Sequence, residues 1–200
     1  MTQGKLKQAI ELIDLANHQD PNKETVDNVE WAKEHLYSVR MSEMLARFKT
    51  NADQVLQIAC RGQHMLRWQS ARSDYPLGKQ GYHQWRTELY TFHANHVAKI
   101  MEEVGYDQNA IDRAKTAVSK KSIKRNADSQ LLEDVAGLVF IEHYMLAFAQ
   151  KHPEYSEEKW MAIILKTWKK MSEAAHEFVL AGKITLPAPL QNLIIKSISE

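Results

Sequence analysis

Apolar residues recur along most of the chain at helical spacing. Ile10, Leu12, Ile13 and Ala16 form one stripe, predicting an amphipathic helix over about 3–18 that Asp20-Pro21-Asn22 ends. A second helix is predicted to begin near Thr25, and a third carries Leu36, Val39, Met41, Met44, Leu45 and Phe48. Asn51-Ala52-Asp53 reads as a helix start leading to Val55, Leu56, Ile58, Ala59 and Met65. Helices are predicted over about 82–104, closed by Gly105, and then over about 108–121, 128–151, 156–181 and 188–198. Thr185-Leu-Pro-Ala-Pro separates the last two. The stretch 70–81 holds two Gly and one Pro, so it is the longest predicted loop, and long loops in compact chains are often functional.

The 128–151 segment is apolar nearly all round, from Leu131 and Leu132 through Val135, Leu138 and Ile141 to Met145 and Phe148, which predicts a buried central helix. The expectation is an all-α fold, a single compact domain over residues 1–200 with a core at about 30–150 and helices at 156–198 packed on it. Composition agrees, since 7 Gly and 5 Pro leave little material for the tight turns of an all-β fold.

With 26 basic against 25 acidic side chains, the formal charge is +1, which argues against a nucleic-acid coat or a polybasic membrane anchor. The lone Cys60 suits a reducing compartment. No apolar run approaches membrane-spanning length, and the N-terminal helix alternates charged with apolar residues, unlike a signal peptide. These features lead us to expect a cytoplasmic protein with no membrane partner.

Three groups of residues carry candidate chemistry. Asp134 shares a helical face with Leu138, Ile141 and Met145, where a carboxylate needs a cation, hydrogen bonds or a metal to offset its desolvation. Beside it, Glu133 completes an acidic pair, for which the plainer reading is helix N-terminal charge. His93 and His96 stand three residues apart on one helix, and His64 precedes them on another. Finally, Arg61, Arg67, Arg72 and Arg86 bracket the long loop among Trp68, Tyr75, Tyr82 and Trp85, fittings for a phosphate and a planar group. The basic run 115–125, which includes Lys121, either lines the same pocket or is a solvated helix end.

Two resemblances sharpen this picture. Tyr37-Ser-Val-Arg-Met41, Gln63-His64, the segment from His93 to Gly105 and Leu132-Glu-Asp-Val-Ala136 resemble, in order and spacing, the HD superfamily of helical metal-dependent phosphohydrolases. Tyr37 stands where that family has its first His, and Met65 where an Asp follows its second. More closely, Leu36-Tyr-Ser-Val-Arg-Met-Ser, His64-Met-Leu-Arg-Trp68, Trp85-Arg-Thr, Leu131-Leu-Glu-Asp-Val135 and Thr167-Trp-Lys-Lys-Met-Ser172 resemble the uncharacterised family catalogued as domain of unknown function 4202.

The HD resemblance implies an HD-like fold in which His64, His93 and Asp134, with His96 as a further ligand, hold one divalent transition metal (Mn, Fe, Co, Ni or Zn). Glu133 and Asp134 would then be catalytic, and Arg61, Arg67, Trp68, Arg72, Arg86 and Lys121 would bind substrate. The leading expectation is a hydrolase acting on a phosphorylated small molecule or nucleotide. The alternatives are a non-catalytic nucleotide- or anion-binding regulatory protein and an RNA-associated protein, against which the near-neutral charge weighs.

Overall fold

The computed structural model describes residues 2–186 and 188–199. Ten α-helices and one two-stranded hairpin are seen among these residues, so the fold is all-α. The chain divides into two compact units, Met1–Leu132 and Glu133–Glu200.

In the first unit α1 (Thr2–Asn17) leads into a hairpin of β1 (Lys23–Val26) and β2 (Val29–Ala32), followed by α2 (Lys33–Phe48) and α3 (Gln54–Arg61). The hairpin replaces the helix predicted from Thr25. Its antiparallel register pairs Val26 with Val29 and Lys23 with Ala32 around Asp27-Asn28. Both turn residues adopt left-handed φ, 50° and 63°, the geometry of a two-residue turn that Asp and Asn tolerate. Then come α4 (Gly78–Glu103), α5 (Gln108–Val118) and α6 (Ala127–Val139), the unit boundary falling within α6.

Local chemistry sets several of these ends. Asp53 accepts a hydrogen bond from the Leu56 N–H at 3.0 Å, and Asp107 from the Ala110 N–H at 2.9 Å, each capping the helix it precedes. At the end of α4, Gly105 takes φ 83° and lets the Tyr106 N–H reach back to the Met101 carbonyl at 2.9 Å. Ile13, Met41, Met44, Ile58, Val97 and Met101 are fully buried where α1 to α5 pack together.

Between α3 and α4 the chain is irregular, with 3₁₀ turns at Arg67–Gln69 and Arg72–Asp74. Helix α4 starts four residues earlier than the predicted 82, at Gly78, while α3 already ends at Arg61, so the loop spans 62–77 rather than 70–81. Arg72 ties it off by donating to the carbonyls of Tyr75, Pro76 and Gly78 at 3.0, 2.9 and 3.3 Å. Gly81 allows the return of the chain, because a Cβ there would stand 1.9 Å from the Pro76 carbonyl oxygen. Gly81→Ala is therefore expected to lower stability by about 1–3 kcal/mol, the cost of forcing backbone apart. Urea denaturation checks this, and an unchanged midpoint would mean that the segment moves aside freely.

The second unit contains the rest of α6, a π-helical turn at Phe140–Tyr144, α7 (Met145–Gln150), α8 (Glu157–Trp168), α9 (Glu173–Leu180) and α10 (Ala188–Ser199). The continuous helix predicted at 128–151 is thus helical over nearly that range, with one wider turn, and Leu138, Val139, Ile141 and Met145 are buried. The helix predicted over 156–181 is broken. Ser172 starts α9 by accepting from the Ala175 N–H at 3.3 Å, so residues 169–172 are a joint between two helices. Pro187, in the predicted break before the last helix, lies outside the described residues. No helix among the described residues is long and apolar enough to cross a membrane.

Candidate functional site

The site grows out of the turn that follows α3. Gly62 lies so close to α4 that a Cβ would stand 2.4 Å from Cγ2 of Val97. Four residues on, Leu66 adopts φ 58°, a left-handed conformation that costs a branched side chain of order 1 kcal/mol and recurs at functional sites. Its N–H donates to Oδ1 of Asn17, itself buried, at 3.1 Å. The turn directs the Met65 carbonyl at Nδ1 of His93, 2.9 Å away.

His64 sits on this turn with its ring stacked on Tyr37, centroids 4.1 Å apart and planes inclined by 13°. The Tyr37 hydroxyl donates to Oε1 of Gln63 at 3.1 Å. Behind the imidazole, Oε2 of Glu34 in the first turn of α2 stands 3.4 Å from Nδ1 of His64, and Glu34 Oε1 is 3.9 Å from Nε of Arg67. The Arg67 guanidinium lies over the Trp85 ring at 4.9 Å. Trp85 is fixed in turn by donating to the Ser70 carbonyl at 3.0 Å.

Helix α4 supplies the facing wall. Arg86, Tyr90 and His93 follow at i, i+4 and i+7, one face of a helix. Arg86 donates to the hydroxyls of Tyr90 at 2.8 Å and Tyr82 at 3.4 Å. At the end of α5, Lys120 takes φ 53°, and its ammonium stands 5.9 Å from the centre of the Tyr90 ring. Gln63, His64, Arg67, Arg86, Tyr90, His93 and Lys120 thereby line one cavity of about 20 Å³, the room that about one water molecule needs. The rings of His64 and His93 are 5.6 Å apart across it.

Its electrostatics follow from burial among fixed cations. Desolvation, helped by the charges of Arg67, Lys120 and Arg86, holds the His64 pKa well below the ordinary imidazole value. Desolvation and the neighbouring His64 bring His93 down to about 3, so both rings are neutral at pH 7. Glu34 moves the other way: burial pushes its carboxyl up to about 7 against the pull of Arg67 and Lys33.

Of the residues singled out in the sequence, His64, His93, Arg67 and Arg86 therefore meet at this cavity. Others in the first unit are engaged elsewhere. Arg61 forms a two-pronged pair with Asp14, at 2.7 and 2.8 Å, on a separate depression beside Ser42 and Lys49. Arg72, expected on the pocket wall, holds loop carbonyls instead. Lys121 lines another groove with Asp112 and Ser119, and Trp68 is half-buried outside the cavity wall. His96 packs edge-on against Phe92 at 4.4 Å, also outside that wall.

Glu133 and Asp134 belong to the second unit and have partners there. Oδ1 and Oδ2 of Asp134 accept from the Ser172 N–H at 2.7 Å and hydroxyl at 2.6 Å, fastening the start of α9. Glu133 stands 3.7 Å from Lys170. Among the described residues no group of three or more His, Cys, Asp or Glu side chains is placed to hold a metal ion. Glu34 and Tyr90 are the participants that sequence reasoning did not single out; the signal for Tyr90 was its place between Arg86 and His93 on one stripe.

Over residues 7–194 the chain matches the family described as Domain of unknown function (DUF4202), and it belongs to that family. No curated protein and no solved structure matches it.

Proposed function

We propose that this protein binds phosphate, either free or as the terminal group of a small phosphorylated ligand, in the cavity between α4 and the turn after α3. The observation that carries this reading is the wall itself: Arg67, Arg86 and Lys120 gather at one small cavity, which widens by rotation of these long side chains to admit a phosphate. Guanidinium and ammonium groups gathered around a partly desolvated space attract an oxyanion and repel a divalent cation. The same wall includes His64 and His93, so these residues do not suit the metal site that the HD resemblance implies, and no step here runs through a metal. A nucleotide would place only its terminal phosphate inside, leaving the rest toward Tyr82, which is 41% exposed and 3.4 Å from Arg86.

Calorimetric titration of the whole protein with sodium phosphate tests the reading. Saturable binding in the micromolar to millimolar range is expected, weakening with added salt and raising Tm in step with occupancy. Phosphate that neither binds nor stabilises overturns it.

A hydrolase acting on the same phosphorylated ligand is the second reading, and one observation favours it. The Glu34 carboxyl, with a pKa of about 7, stands 3.4 Å behind His64, giving a pair able to take up a proton from water near neutral pH. Release of inorganic phosphate from a bound phosphomonoester separates this reading from binding alone.

A further inference from the structure

Resting on the phosphate reading above, the ionisation state of the preferred anion follows from one imidazole. His93 is 2% exposed, and its two ring nitrogens have different surroundings. Nδ1 lies 2.9 Å from the Met65 carbonyl oxygen. A carbonyl only accepts, so Nδ1 carries the hydrogen. In a neutral imidazole one nitrogen donates and the other accepts, which leaves Nε2 as a bare lone pair. That atom is buried without a hydrogen-bond partner, on a residue of the cavity wall. A buried polar atom left so destabilises the fold, and a bound group relieves it only by donating to it.

The neighbours sharpen the contrast. Arg67, Arg86 and Lys120 can only donate. Gln63 accepts on its oxygen from Tyr37, and its amide nitrogen can only donate. Nε2 of His93 therefore adds an acceptor to a wall whose charged groups all donate. A fully deprotonated oxyanion would satisfy the donors but set an oxygen lone pair against the lone pair of Nε2. An oxyanion that keeps one hydroxyl satisfies both.

We propose that the cavity selects a tetrahedral anion bearing a P–OH group, with Nε2 of His93 accepting its hydrogen while Arg67, Arg86 and Lys120 hold the remaining oxygens. Hydrogen phosphate meets this requirement throughout the neutral range. A phosphomonoester meets it only in its singly charged form, which its second ionisation near pH 6 makes the minor species at neutral pH. Sulfate has the same shape and the same double charge as hydrogen phosphate but no hydrogen, so it isolates the contribution of the one bond.

The test is calorimetric titration of the whole protein with sodium phosphate and sodium sulfate at pH 7.5 and matched ionic strength. Phosphate is expected to bind at least about tenfold more tightly, the lower end for a hydrogen bond to a charged group. In His93→Gln, whose amide can either donate or accept, the preference is expected to collapse toward parity while anion binding persists. Should that variant fail to fold, ¹⁵N NMR of the wild-type ring decides, Nε2 remaining unprotonated in the phosphate complex. Equal affinity for the two anions, or an Nε2 that gains a proton on binding, overturns the inference and leaves the phosphate reading standing. Binding of neither anion overturns both.

Discussion

Arg86→Ala is expected to weaken phosphate binding by roughly tenfold to a hundredfold, the loss of a charge-assisted hydrogen bond to an anion, about 1.5–3 kcal/mol. The size of the effect follows from how the side chain is held. Its guanidinium donates to the hydroxyls of Tyr90 and Tyr82, at 2.8 and 3.4 Å, and pairs with no carboxylate among the described residues. Two tyrosine hydroxyls fix the group in space, and no carboxylate among the described residues offsets its charge. Arg67 differs, because Glu34 stands 3.9 Å from its Nε and offsets part of its charge whenever that carboxyl is ionised. The loss in Arg67→Ala should accordingly be smaller above pH 7 than that in Arg86→Ala. Calorimetric titration with phosphate measures both, and an Arg86→Ala protein that binds phosphate as the wild type does would remove α4 from the site.

Why some of this was legible in the sequence and some was not has physical causes. Long helices declare themselves through apolar periodicity, so α1, α4 and the run from α6 to α7 were found with shifted ends. The hairpin was not, because its four-residue strands are too short to separate a period of 2 from a period of 3.6; the informative pair was Asp27-Asn28, two residues that accept left-handed φ. The joint at 169–172 was hidden by the apolar stripe of Trp168, Met171 and Ala175, which continues through it, although Ser172-Glu173 is a helix-start signal.

At the site, residue type singled out Arg61, Arg67, Arg72 and Arg86 alike, since nothing local distinguishes an arginine that meets a ligand from one that meets the protein. What separates them is tertiary: Asp14, 47 residues away, occupies Arg61, while the fold of the loop turns its own carbonyls toward Arg72. Glu34 escaped notice for the same reason. A glutamate in the first turn of a helix reads as an ordinary favourable charge, and only the packing of the turn after α3 over it makes it a buried acid.

That burial leads to the largest stability effect expected here. Between Glu34→Gln and wild type, the difference in unfolding free energy should grow in favour of the variant as pH rises from about 5 to 8, reaching about 3 kcal/mol. The folded-state pKa of Glu34, about 7, lies above its ordinary value of 4.5, so between these values the folded protein holds a proton that the unfolded chain has released. Its contribution is fully present below pH 4.5 and is lost as pH rises through 7. Glutamine has nearly the same size and stays neutral, so it avoids that loss. Wild-type data alone would obscure the effect, because His93, lowered to about 3 by burial and by the neighbouring His64, has the opposite sign. Its neutral form is favoured in the folded state, so stability present above about 6.5 is lost as pH falls. Subtracting the two proteins at each pH removes most of that contribution, because Glu34 is the smallest of the named influences on His93, and leaves chiefly the carboxyl. Urea denaturation at pH 5, 6, 7 and 8 provides the measurement. A difference that stays flat would mean that Glu34 is ionised throughout, with Arg67 and Lys33 outweighing desolvation. The carboxyl behind His64 would then be a fixed countercharge to Arg67, and the acid–base role that favours hydrolysis would lose its support.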